Sequence, residues 1–274
     1  MYTLRAGNNA GCLMNKPFLT VFTPSYNRVH TLRRVYESLV NQTCLDFEWV
    51  IVDDGSEDDT QAKVREWESR TPFPLRYFRQ PHRGKHVAVN TGVRQAGGEF
   101  FLIFDSDDAC VPTAVERFKF QWEDIPHPDR ERYSTLSALS MDSMGKIVGP
   151  AYPQHMMDIH DPCGQFLLRS GGERWGINRT DVMREYPFPE IEGEYYIPEA
   201  IVWNRMALRY SGRFFNEALR IYMTTQNGIT SSVRRILSRN PRGTAMYYRE
   251  LMTLSLPPVQ RTKAVLSYLR YAFR

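Results

Sequence analysis

The sequence lacks several features that would place it in a specialised class of protein. Its four cysteines are Cys12, Cys44, Cys110 and Cys163. They lie far apart without any C-x-x-C pair, which argues against a zinc site or a disulfide framework and fits a reducing compartment. Residues 1–16 lack the apolar segment of a signal peptide, and no window approaches the roughly 20 apolar residues of a membrane span. We therefore expect a cytoplasmic protein, soluble or peripheral at the inner face of the cell membrane.

No extreme of composition or charge is present either, apart from one basic segment. The chain has 274 residues, 42% of them hydrophobic and 24% charged, with a net charge of +4, as in an ordinary globular protein. Residues 231–274 contain nine arginines and lysines and a single acid, Glu250. Such a segment can bind nucleic acid on charge alone, but no fold-level motif for nucleic acid accompanies it, and we expect no such partner.

What the sequence does contain is a regular alternation of strand and helix patterns. Predicted strands cover 19–23, 47–52, 75–78 and 99–104. Predicted helices cover the segment around 32–39 and residues 60–68, 85–96 and 112–122, the last opened by Pro112. Short strands separated by helices of this length favour βαβ units and a mostly parallel sheet flanked by helices.

The alternation weakens after about residue 130. A strand at 133–141 is followed by a stretch at 147–194 that is rich in Gly, Pro and aromatic residues, as loop-dominated regions are. A helix at 199–210, a strand at 214–222 and the basic segment come next. We expect a loose leader at 1–16, one domain at 17–228 with halves at 17–130 and 131–228, and a basic helical extension at 229–274.

Three predicted strands end in polar clusters, at residues 24–28, 53–56 and 105–108. In an open parallel sheet these clusters gather at one rim, where ligands bind. The last cluster, Asp105-Ser106-Asp107-Asp108, crowds carboxylates that repel one another unless a cation neutralises them. Mg²⁺ or Mn²⁺ suits such oxygen ligands. The alternative is an ordinary solvated turn.

A basic segment follows the second acidic turn in the sequence. "PHRGKHVAVNTG" (81–92) places Arg83 and Lys85 beside a glycine at the start of a predicted helix. Basic side chains and a helix N-terminus together suit a phosphate group. Acid, metal and base around one rim would suit a nucleoside diphosphate. The alternative for Arg83 and Lys85 is a solvated loop.

Taken together, these motifs resemble the family 2 glycosyltransferases with the GT-A fold, of the bacterial polysaccharide or cell-surface glycan type. The resemblance rests on "TVFTPSYNR", "WVIVDDGSEDDT", "RGKHVAVNTGVRQAGGEF" and "FLIFDSDDA", in this order and spacing. It is strong over about residues 17–125 and continues through "IPEAIVWNRMALRY". The resemblance implies a Rossmann-like nucleotide-sugar-binding half, a loop-rich acceptor half and a helical C-terminal tail.

The resemblance also assigns residues to roles. It implies nucleotide-sugar binding by Pro24, Ser25, Tyr26, Arg28, Asp53, Asp54, Arg83, Lys85, Asn90, Asp105 and Ser106. Asp53 or Asp54 would accept from the imide of a uracil, and the choice between them stays open. Asp107 would be the principal ligand of Mn²⁺ or Mg²⁺, with Asp105 beside it and Asp108 as a third acid.

The helix predicted at 199–210 supplies a candidate general base. Family members often place a carboxylate at a helix start with Trp four residues later, which matches Glu199 and Trp203 in "PEAIVW". Pro198 stands where the first acid of a Glu-Asp pair is usual, so the alternative is a first-turn glutamate favoured by the helix dipole. A metal-binding His common after the last strand is replaced here by residues 224–227.

Aromatic residues and the basic tail are the remaining features. Trp175, Tyr195, Tyr196 and Trp203 are candidates to contact an acceptor sugar, with core packing as the alternative. A helix after Pro257-Pro258 carries Val265, Tyr268, Leu269 and Ala272 beside basic residues, so it either contacts an anionic membrane or packs on the domain.

The resemblance implies a metal-dependent inverting transfer of a sugar from a nucleotide sugar, UDP-linked, to a glycan or lipid-linked acceptor. Two rival functions stay open. One is a phosphatase of the haloacid-dehalogenase type, although Ala109 stands where that motif has Thr or Val. The other is a non-catalytic nucleotide-sugar-binding module. Nothing in the sequence indicates the oligomeric state.

Overall fold

A mixed sheet of nine strands lies at the centre of the described part of the protein. The computed structural model describes residues 16–223 and 229–273, without the side chains of 229–232. The strands are β1 (Leu19–Ser25), β2 (Phe47–Asp53), β3 (Leu75–Arg79), β4 (Phe100–Ile103), β5 (Ala109–Cys110), β6 (Tyr133–Met141), β7 (Met156–Ile159), β8 (Arg174–Arg179) and β9 (Ser211–Ile221). They follow the order β3-β2-β1-β4-β8-β6-β9-β5, and β7 pairs with β9.

Helices cover both faces of this sheet and follow it at the C-terminal end. The helices are α1 (Val29–Val40), α2 (Thr60–Glu68), α3 (Lys85–Gln95), α4 (Ala114–Glu123), α5 (Pro162–Arg169), α6 (Thr180–Glu185), α7 (Ala200–Ala207), α8 (Ile229–Arg239), α9 (Pro241–Leu251) and α10 (Pro258–Ala272). A 3₁₀ helix (His127–Arg132) precedes β6. The predicted leader lies outside the described residues except for Lys16.

The N-terminal half has the predicted βαβ organisation. β3, β2, β1 and β4 pair in parallel, and every residue of β2 is buried, as expected for a strand with helices on both faces. The prediction of strands and helices in this half is confirmed, and α2 has the predicted bounds. The short strand β5 was not predicted, β1 to β4 differ from their predicted bounds by one or two residues at an end, and α4 begins at Ala114 rather than at Pro112, whose carbonyl accepts from Thr43 N at 2.9 Å.

The second half continues the same sheet with mixed pairing. β8 joins β4 and β6 antiparallel, β6 and β9 run parallel, and β9 also carries β5 and β7. The expected loop-rich stretch at 147–194 therefore also contains two strands and two helices. Its turn-forming residues have structural tasks. Asp161 caps α5 by accepting from Gly164 N at 2.5 Å, and a Cβ at Gly176 would lie 2.4 Å from the Leu136 carbonyl oxygen across the β6–β8 pair.

The apolar core has two layers, one on each face of the sheet. On one face, residues of α1, α2 and α4 such as Leu32, Trp67 and Phe118 pack against β1, β2 and β4. On the other, residues of α3, α6 and α7, such as Val89 and Ile201, pack against the opposite sides of the same strands. Both faces of the parallel strands are thus covered, and their carboxyl edge remains accessible.

The three C-terminal helices, α8, α9 and α10, pack against the outside of this domain. Leu251, Leu254, Leu256 and Ala264 make a small apolar cluster between α9 and α10, and the rings of Tyr248 and Tyr271 stack at 6.1 Å. Within the described ranges, no helix has both the length and the apolar character needed to cross a bilayer.

The contact between α3 and β1 depends on a glycine. A Cβ at residue 92 would lie 2.3 Å from the Phe22 ring, and Phe22 is completely buried. We expect Gly92→Ala to lower the free energy of unfolding by about 1–3 kcal/mol, since overpacking exceeds the helix-propensity gain of about 1 kcal/mol. Urea denaturation measures the change, with Arg94→Ala on the exposed face of α3 as the control.

A second variant separates the steric cause from a general effect on the helix. Adding Phe22→Leu to Gly92→Ala removes ring atoms at the contact, so the double variant should lose less stability than the two single changes together. A Gly92→Ala variant as stable as the unchanged protein would contradict the close packing of α3 on β1.

Candidate active site

A cavity of about 680 Å³ opens at the edge of the sheet where the parallel strands end. The segments after β1, β2 and β4 all contribute to its lining, with Tyr26, Asp54 and Asp105 as one residue from each. The carboxyl ends of parallel strands meet at one edge, which is why segments far apart in sequence come together here. The prediction that the polar strand ends converge at one rim is confirmed.

Most of the residues predicted to hold a nucleotide sugar or its metal lie in this lining. They are Pro24, Ser25, Tyr26, Arg28, Asp54, Lys85, Asp105, Ser106 and Asp107. Asp53, Arg83 and Asn90 are not part of the lining, and each is committed to contacts within the protein.

Asp53 is buried beneath the rim. Its two carboxylate oxygens accept from Ser56 N, at 2.7 Å, and from the Tyr77 hydroxyl. Burial, together with this carboxylate, raises the pKa of Tyr77. Asp53 therefore closes the turn after β2, and of the two acids left open by the sequence, only Asp54 faces the cavity.

Asp54 organises the loop that leads into α3. Its carboxylate accepts from Gln80 Nε2 at 2.8 Å, Arg83 N at 3.0 Å and Gly84 N at 2.8 Å, and His82 Nδ1 lies 2.8 Å from it. Gly84 has φ +95°, and a Cβ there would lie 2.1 Å from the Tyr195 carbonyl oxygen, so only glycine fits. This loop fixes the position of the next residue, Lys85.

Lys85 is the first residue of α3 and connects two carboxylates. Its Nζ lies 2.5 Å from Asp105 Oδ1 and 2.8 Å from Glu199 Oε1. Burial opposes the charge of Lys85, but the two carboxylates outweigh it and raise the pKa of the ammonium group. Burial likewise works to raise the pKa of Asp105, and the charge of Lys85 holds it below its usual value.

Glu199 occupies the position immediately before α7 and makes no capping bond with its side chain. Its carboxylate instead contacts Lys85, a contact that the alternative of a first-turn glutamate favoured by the helix dipole does not include. Its side chain is 35% exposed and lines a second cavity of about 310 Å³. Asp105 lines both cavities, so the Asp105–Lys85–Glu199 group lies at their junction.

The other two acids after β4 differ sharply. Asp107 lines the first cavity, and no described residue forms an ion pair with its carboxylate. Asp108 is 1% exposed; it accepts from Met223 N at 2.9 Å and lies 3.4 Å from Arg220 Nη1. Burial raises the pKa of Asp108 to about 7 against the opposing charge of Arg220. Asp108 thus ties the acidic turn to the end of β9.

Asp107 and Asp105 can contribute oxygen ligands to a divalent cation. Within the described residues, no three His, Cys, Asp or Glu side chains are close enough to form a ready-made metal cluster. Two carboxylates still fit Mg²⁺ or Mn²⁺, which commonly completes its shell with ligand phosphates and water. Family members often have a metal-binding His after the last strand. The corresponding residues of this sequence, 224–227, lie outside the described part of the chain.

A stack of three rings lies at the mouth of the first cavity. His82 is 4.0 Å from Tyr26 and 5.1 Å from Tyr195, measured between ring centroids, and the planes are nearly parallel. All three residues line the cavity. His82 was not predicted from the sequence, although it stands in the quoted "PHRGK" segment, because nothing in that segment indicates that its ring lies between two tyrosines.

Arg83 and Asn90 brace a neighbouring loop. Arg83 pairs with Glu190 at 2.9 Å and has a 56% exposed side chain, so its predicted contact with a phosphate stays a prediction. Asn90 Nδ2 donates to the Phe188 carbonyl and to Glu190 Oε1, and its Oδ1 accepts from Phe188 N, each at 2.9 Å. These bonds hold the 188–190 loop against α3.

The four aromatic residues predicted to contact an acceptor fall into two groups. Tyr195 and Tyr196 line the first cavity, and Trp203 and Trp175 line the second. Trp175 is only 4% exposed and packs against Phe104 and Phe118. Trp175 is therefore a core residue, which is the alternative considered for these aromatic residues. Tyr195, in contrast, is 54% exposed and is not part of the core.

The C-terminal helices complete the first cavity. Ile236 and Arg239 of α8 and the adjoining Asn240 lie in its lining. Asn240 Oδ1 accepts from Tyr195 N at 2.7 Å and Tyr196 N at 3.1 Å. The extension predicted as an appendage therefore forms one wall of the site, a contact that charge and periodicity alone did not indicate.

Two comparisons with known proteins address the family. Residues 20–134 match the model of the family described as "Glycosyl transferase family 2". The chain is 33% identical over 217 residues to a "GalNAc(5)-diNAcBac-PP-undecaprenol beta-1,3-glucosyltransferase" of Campylobacter jejuni, a match covering 75% of this chain and 64% of the relative. Several other curated glycosyltransferases match over 10% to 34% of their own length.

Solved structures show the same fold at low sequence identity. TarS 1–349 of Staphylococcus aureus, solved with UDP, has a TM-score of 0.66 at 19% identity, over 92% of this chain and 70% of that one. The mannosyltransferase PcManGT of Pyrobaculum calidifontis, solved with GDP-Man and Mn²⁺, has a TM-score of 0.61 at 18% identity, over 93% and 69%.

The family match decides against the haloacid-dehalogenase alternative, since the strand ending in D-x-D is the fourth of the sheet and belongs to a different architecture. The α/β fold with its cavity at the carboxyl edge, the motifs in residues 20–134 and the relatives all agree. Residues 20–134 thus match glycosyl transferase family 2, and the chain has the GT-A fold of its structural neighbours.

Proposed function

We propose that the protein transfers a sugar from a nucleotide sugar, UDP-linked, to a hydroxyl of a glycan or lipid-linked acceptor in surface polysaccharide synthesis. The observation that carries the proposal is the contact of Lys85 with both Asp105 and Glu199 at the junction of two cavities. Donor and acceptor can each occupy one cavity, and the group between them can serve both. Residues 17–228 would form the catalytic domain, with 17–130 for the donor and 131–228 for the acceptor.

The first cavity is the proposed donor site. Its volume of about 680 Å³ is within the range of pockets that enclose small-molecule ligands. TarS has been solved with UDP and with UDP-GlcNAc, which supports the choice of a uridine nucleotide. Asp54 is the candidate to accept from the base, because it faces the cavity and Asp53 does not.

Asp107 and Asp105 are the proposed ligands of a divalent cation. The Mn²⁺ of PcManGT supports Mn²⁺ or Mg²⁺. Such an ion, when bound, acts as a Lewis acid that stabilises the negative charge of the departing diphosphate. Lys85 lies beside Asp105 and would add a second positive charge on the same side of the sugar.

Glu199 is the proposed general base. The acceptor hydroxyl would enter from the second cavity, which Glu199 lines, and lose its proton to the carboxylate. The hydroxyl oxygen forms a bond to the anomeric carbon while the bond to the diphosphate oxygen breaks and the electron pair leaves with the nucleotide. Attack from the side opposite the leaving group inverts the anomeric centre. Lys85 holds Glu199 in position through its 2.8 Å contact.

Glu199→Gln tests the base. Gln retains an oxygen for Lys85 but cannot take a proton, so sugar transfer should fall by about 10²–10⁴-fold, while UDP affinity stays unchanged. Radiolabelled transfer to an acceptor extract measures turnover, and calorimetry measures UDP binding. Glu192→Gln, an exposed acid of the preceding loop, is the control. Near-normal turnover of Glu199→Gln would refute its assignment as base.

Asp107→Asn tests the metal site through binding alone. We expect the unchanged protein to bind UDP about tenfold or more tightly with Mn²⁺ than without it, and Asp107→Asn to lose that gain, because an amide is a poor ligand for a hard cation. Calorimetry with and without Mn²⁺ gives both affinities, with Asp129→Asn as the control, because the Asp129 side chain is 46% exposed and lines neither cavity. The same gain in Asp107→Asn would show that the cation binds elsewhere.

The two tests also decide between an enzyme and a binding module. A protein that binds UDP with Mn²⁺ but transfers no sugar from any donor tested would be a non-catalytic module. A thermal-shift screen of nucleotide sugars identifies the donor first, because a ligand at 100 times its dissociation constant adds about 2.7 kcal/mol of stability.

We further propose that α10 contacts an anionic membrane surface at the cytoplasmic side. Ala264 and Tyr271 face inward, at 1% and 6% exposed, whereas Leu266 and Phe273 are 62% and 83% exposed. Val259 and Leu269 extend the outward apolar stripe, and the exposed Arg261, Lys263 and Arg270 flank it. An apolar stripe with basic flanks suits a surface of acidic lipids. Packing of α10 on the domain accounts for the buried residues of its inward face. It does not account for the exposed apolar residues of its outward face.

Replacing the outward leucines tests this contact. Leu266→Asn with Leu269→Asn should weaken sedimentation with vesicles of acidic phospholipid about tenfold, and binding of the unchanged protein should fall as salt rises. Leu45→Asn is the control, because Leu45 is 44% exposed and lies before β2, outside the C-terminal helices. Absence of vesicle binding at low salt would remove the proposal.

A further inference from the structure

The second cavity contains more positive charge than its surroundings neutralise. Arg169, Arg174 and Arg220 all line it. Arg220 is compensated, since Nη2 lies 2.9 Å from Glu173 and Nη1 3.4 Å from Asp108. Among residues 16–223 and 229–273, no carboxylate lies within ion-pair distance of Arg169 or Arg174.

The two acids in the lining do not neutralise these arginines. Asp105 and Glu199 are both engaged by Lys85. Burial lowers the pKa of Arg169 to about 10, which still leaves its guanidinium charged at neutral pH. A pair of uncompensated guanidinium groups in a partly enclosed cavity is costly unless an anion binds there.

Arg169 is held in place by neutral partners. Its Nη1 donates to the Trp203 carbonyl at 3.3 Å and its Nη2 to Gln165 Oε1 at 2.9 Å, and it lies 5.7 Å from the Phe214 ring centroid. Trp203 is four residues after Glu199 in α7, so Arg169 is fixed to the helix that carries the proposed base. The orientation of the Arg169 side chain is thus fixed by neutral groups, and its positive charge is not neutralised by an ion pair with any described residue.

Arg174 is held in the same manner. Its Nε donates to the Leu168 carbonyl at 3.1 Å, its Nη2 to the Pro150 carbonyl at 2.8 Å, and its guanidinium lies 4.5 Å from the Tyr152 ring centroid. Its Nη1 is buried and has no hydrogen-bond partner. A buried donor without an acceptor is rare and unfavourable, so Arg174, which lines the cavity, retains an unsatisfied donor.

The rest of the lining suits a sugar. Thr135, Ser137, Asn178 and Asn204 contribute hydroxyl and amide groups, and Trp203 contributes an aromatic ring. Hydroxyl and amide side chains can both donate to and accept from sugar hydroxyls. The cavity therefore combines polar groups for a sugar with two guanidinium groups for an anion.

We propose that the second cavity binds the acceptor through an anionic group, a carboxylate or a phosphate, held by Arg169 and Arg174, with the hydroxyl to be glycosylated facing Glu199. This inference rests on the proposed function and adds the class of acceptor. Arg presents a fork of donors that matches the oxygens of carboxylate and phosphate alike. The acceptor would thus be an acidic sugar unit or a phosphorylated one.

Binding of simple sugars to the unchanged protein gives the first test. Three probes are compared by ligand-observed NMR at fixed ionic strength: methyl glucuronide, glucose 6-phosphate and the neutral methyl glucoside. UDP and Mn²⁺ are present in excess so that the first cavity is filled. At least one anionic sugar should bind about tenfold more tightly than the glucoside. Preference for the glucuronide identifies a carboxylate, preference for the phosphate identifies a phosphate, and equal affinity for all three overturns the proposal.

Variants assign the preference to the two arginines. Arg169→Gln and Arg174→Gln should each abolish the tenfold preference, Arg169→Lys should retain part of it, and Arg94→Gln, on the exposed face of α3, should retain all of it. A preference that survives both Gln variants overturns the proposal. Circular dichroism checks folding, and a variant that does not fold leaves the comparison of probes on the unchanged protein as the test.

UDP binding separates this inference from the proposed function. Calorimetry should give the same UDP affinity for both Gln variants as for the unchanged protein, because the arginines lie outside the first cavity. If the unchanged protein does not bind UDP, the proposed function fails. The three probes, measured without nucleotide on the unchanged protein and the variants, then still decide whether the second cavity prefers an anion.

Discussion

The position of Lys85 between Asp105 and Glu199 is the interaction on which the site depends. A strand end rich in carboxylates is unfavourable by itself, because like charges repel and one acid would have to be protonated. Lys85 relieves that repulsion for Asp105 and at the same time holds Glu199 from the other half of the chain. One ammonium group therefore joins the acidic turn after β4 to the start of α7, and both cavities meet at this contact.

The ammonium group of Lys85 is positioned by hydrogen bonds to the backbone of the neighbouring loops. Asp54 binds the backbone of Arg83 and Gly84, and Gly84 adopts a conformation and a closeness to Tyr195 that a side chain would prevent. Asn240, between α8 and α9, binds the backbone of Tyr195 from the opposite side. Lys85 is thus positioned by the loop after β2, the loop before α7 and Asn240 together, so the end of α8 and Asn240 belong to the site.

The strands and helices of the N-terminal half could be predicted from the sequence because the spacing of its apolar residues matches the period of each element. The continuous burial of β2 and the single apolar face of α1 can be seen in the sequence as apolar runs and spacing. Contacts between distant segments could not be predicted this way. The pairing of Arg83 with Glu190, 107 residues away, the burial of Trp175 and the ring stack around His82 all depend on how the two halves pack. The proposed roles of Arg169 and Arg174 could not be predicted from the sequence either, because the sequence does not show that no carboxylate of the described residues lies within ion-pair distance of them.

The distribution of charge suggests how two anionic ligands can be kept apart. In the first cavity Asp107 is left without an ion-pair partner in the described residues, and under the proposed function a cation held by Asp107 would offset its repulsion of an anionic ligand. In the second, guanidinium groups are held by carbonyl and amide oxygens and need no cation. Under the two proposals, a diphosphate with its metal ion would occupy the first cavity, and an anion without a metal would occupy the second. Under the proposed function, the acceptor hydroxyl would reach the sugar from the second cavity, which Glu199 lines, while the diphosphate would leave within the first cavity.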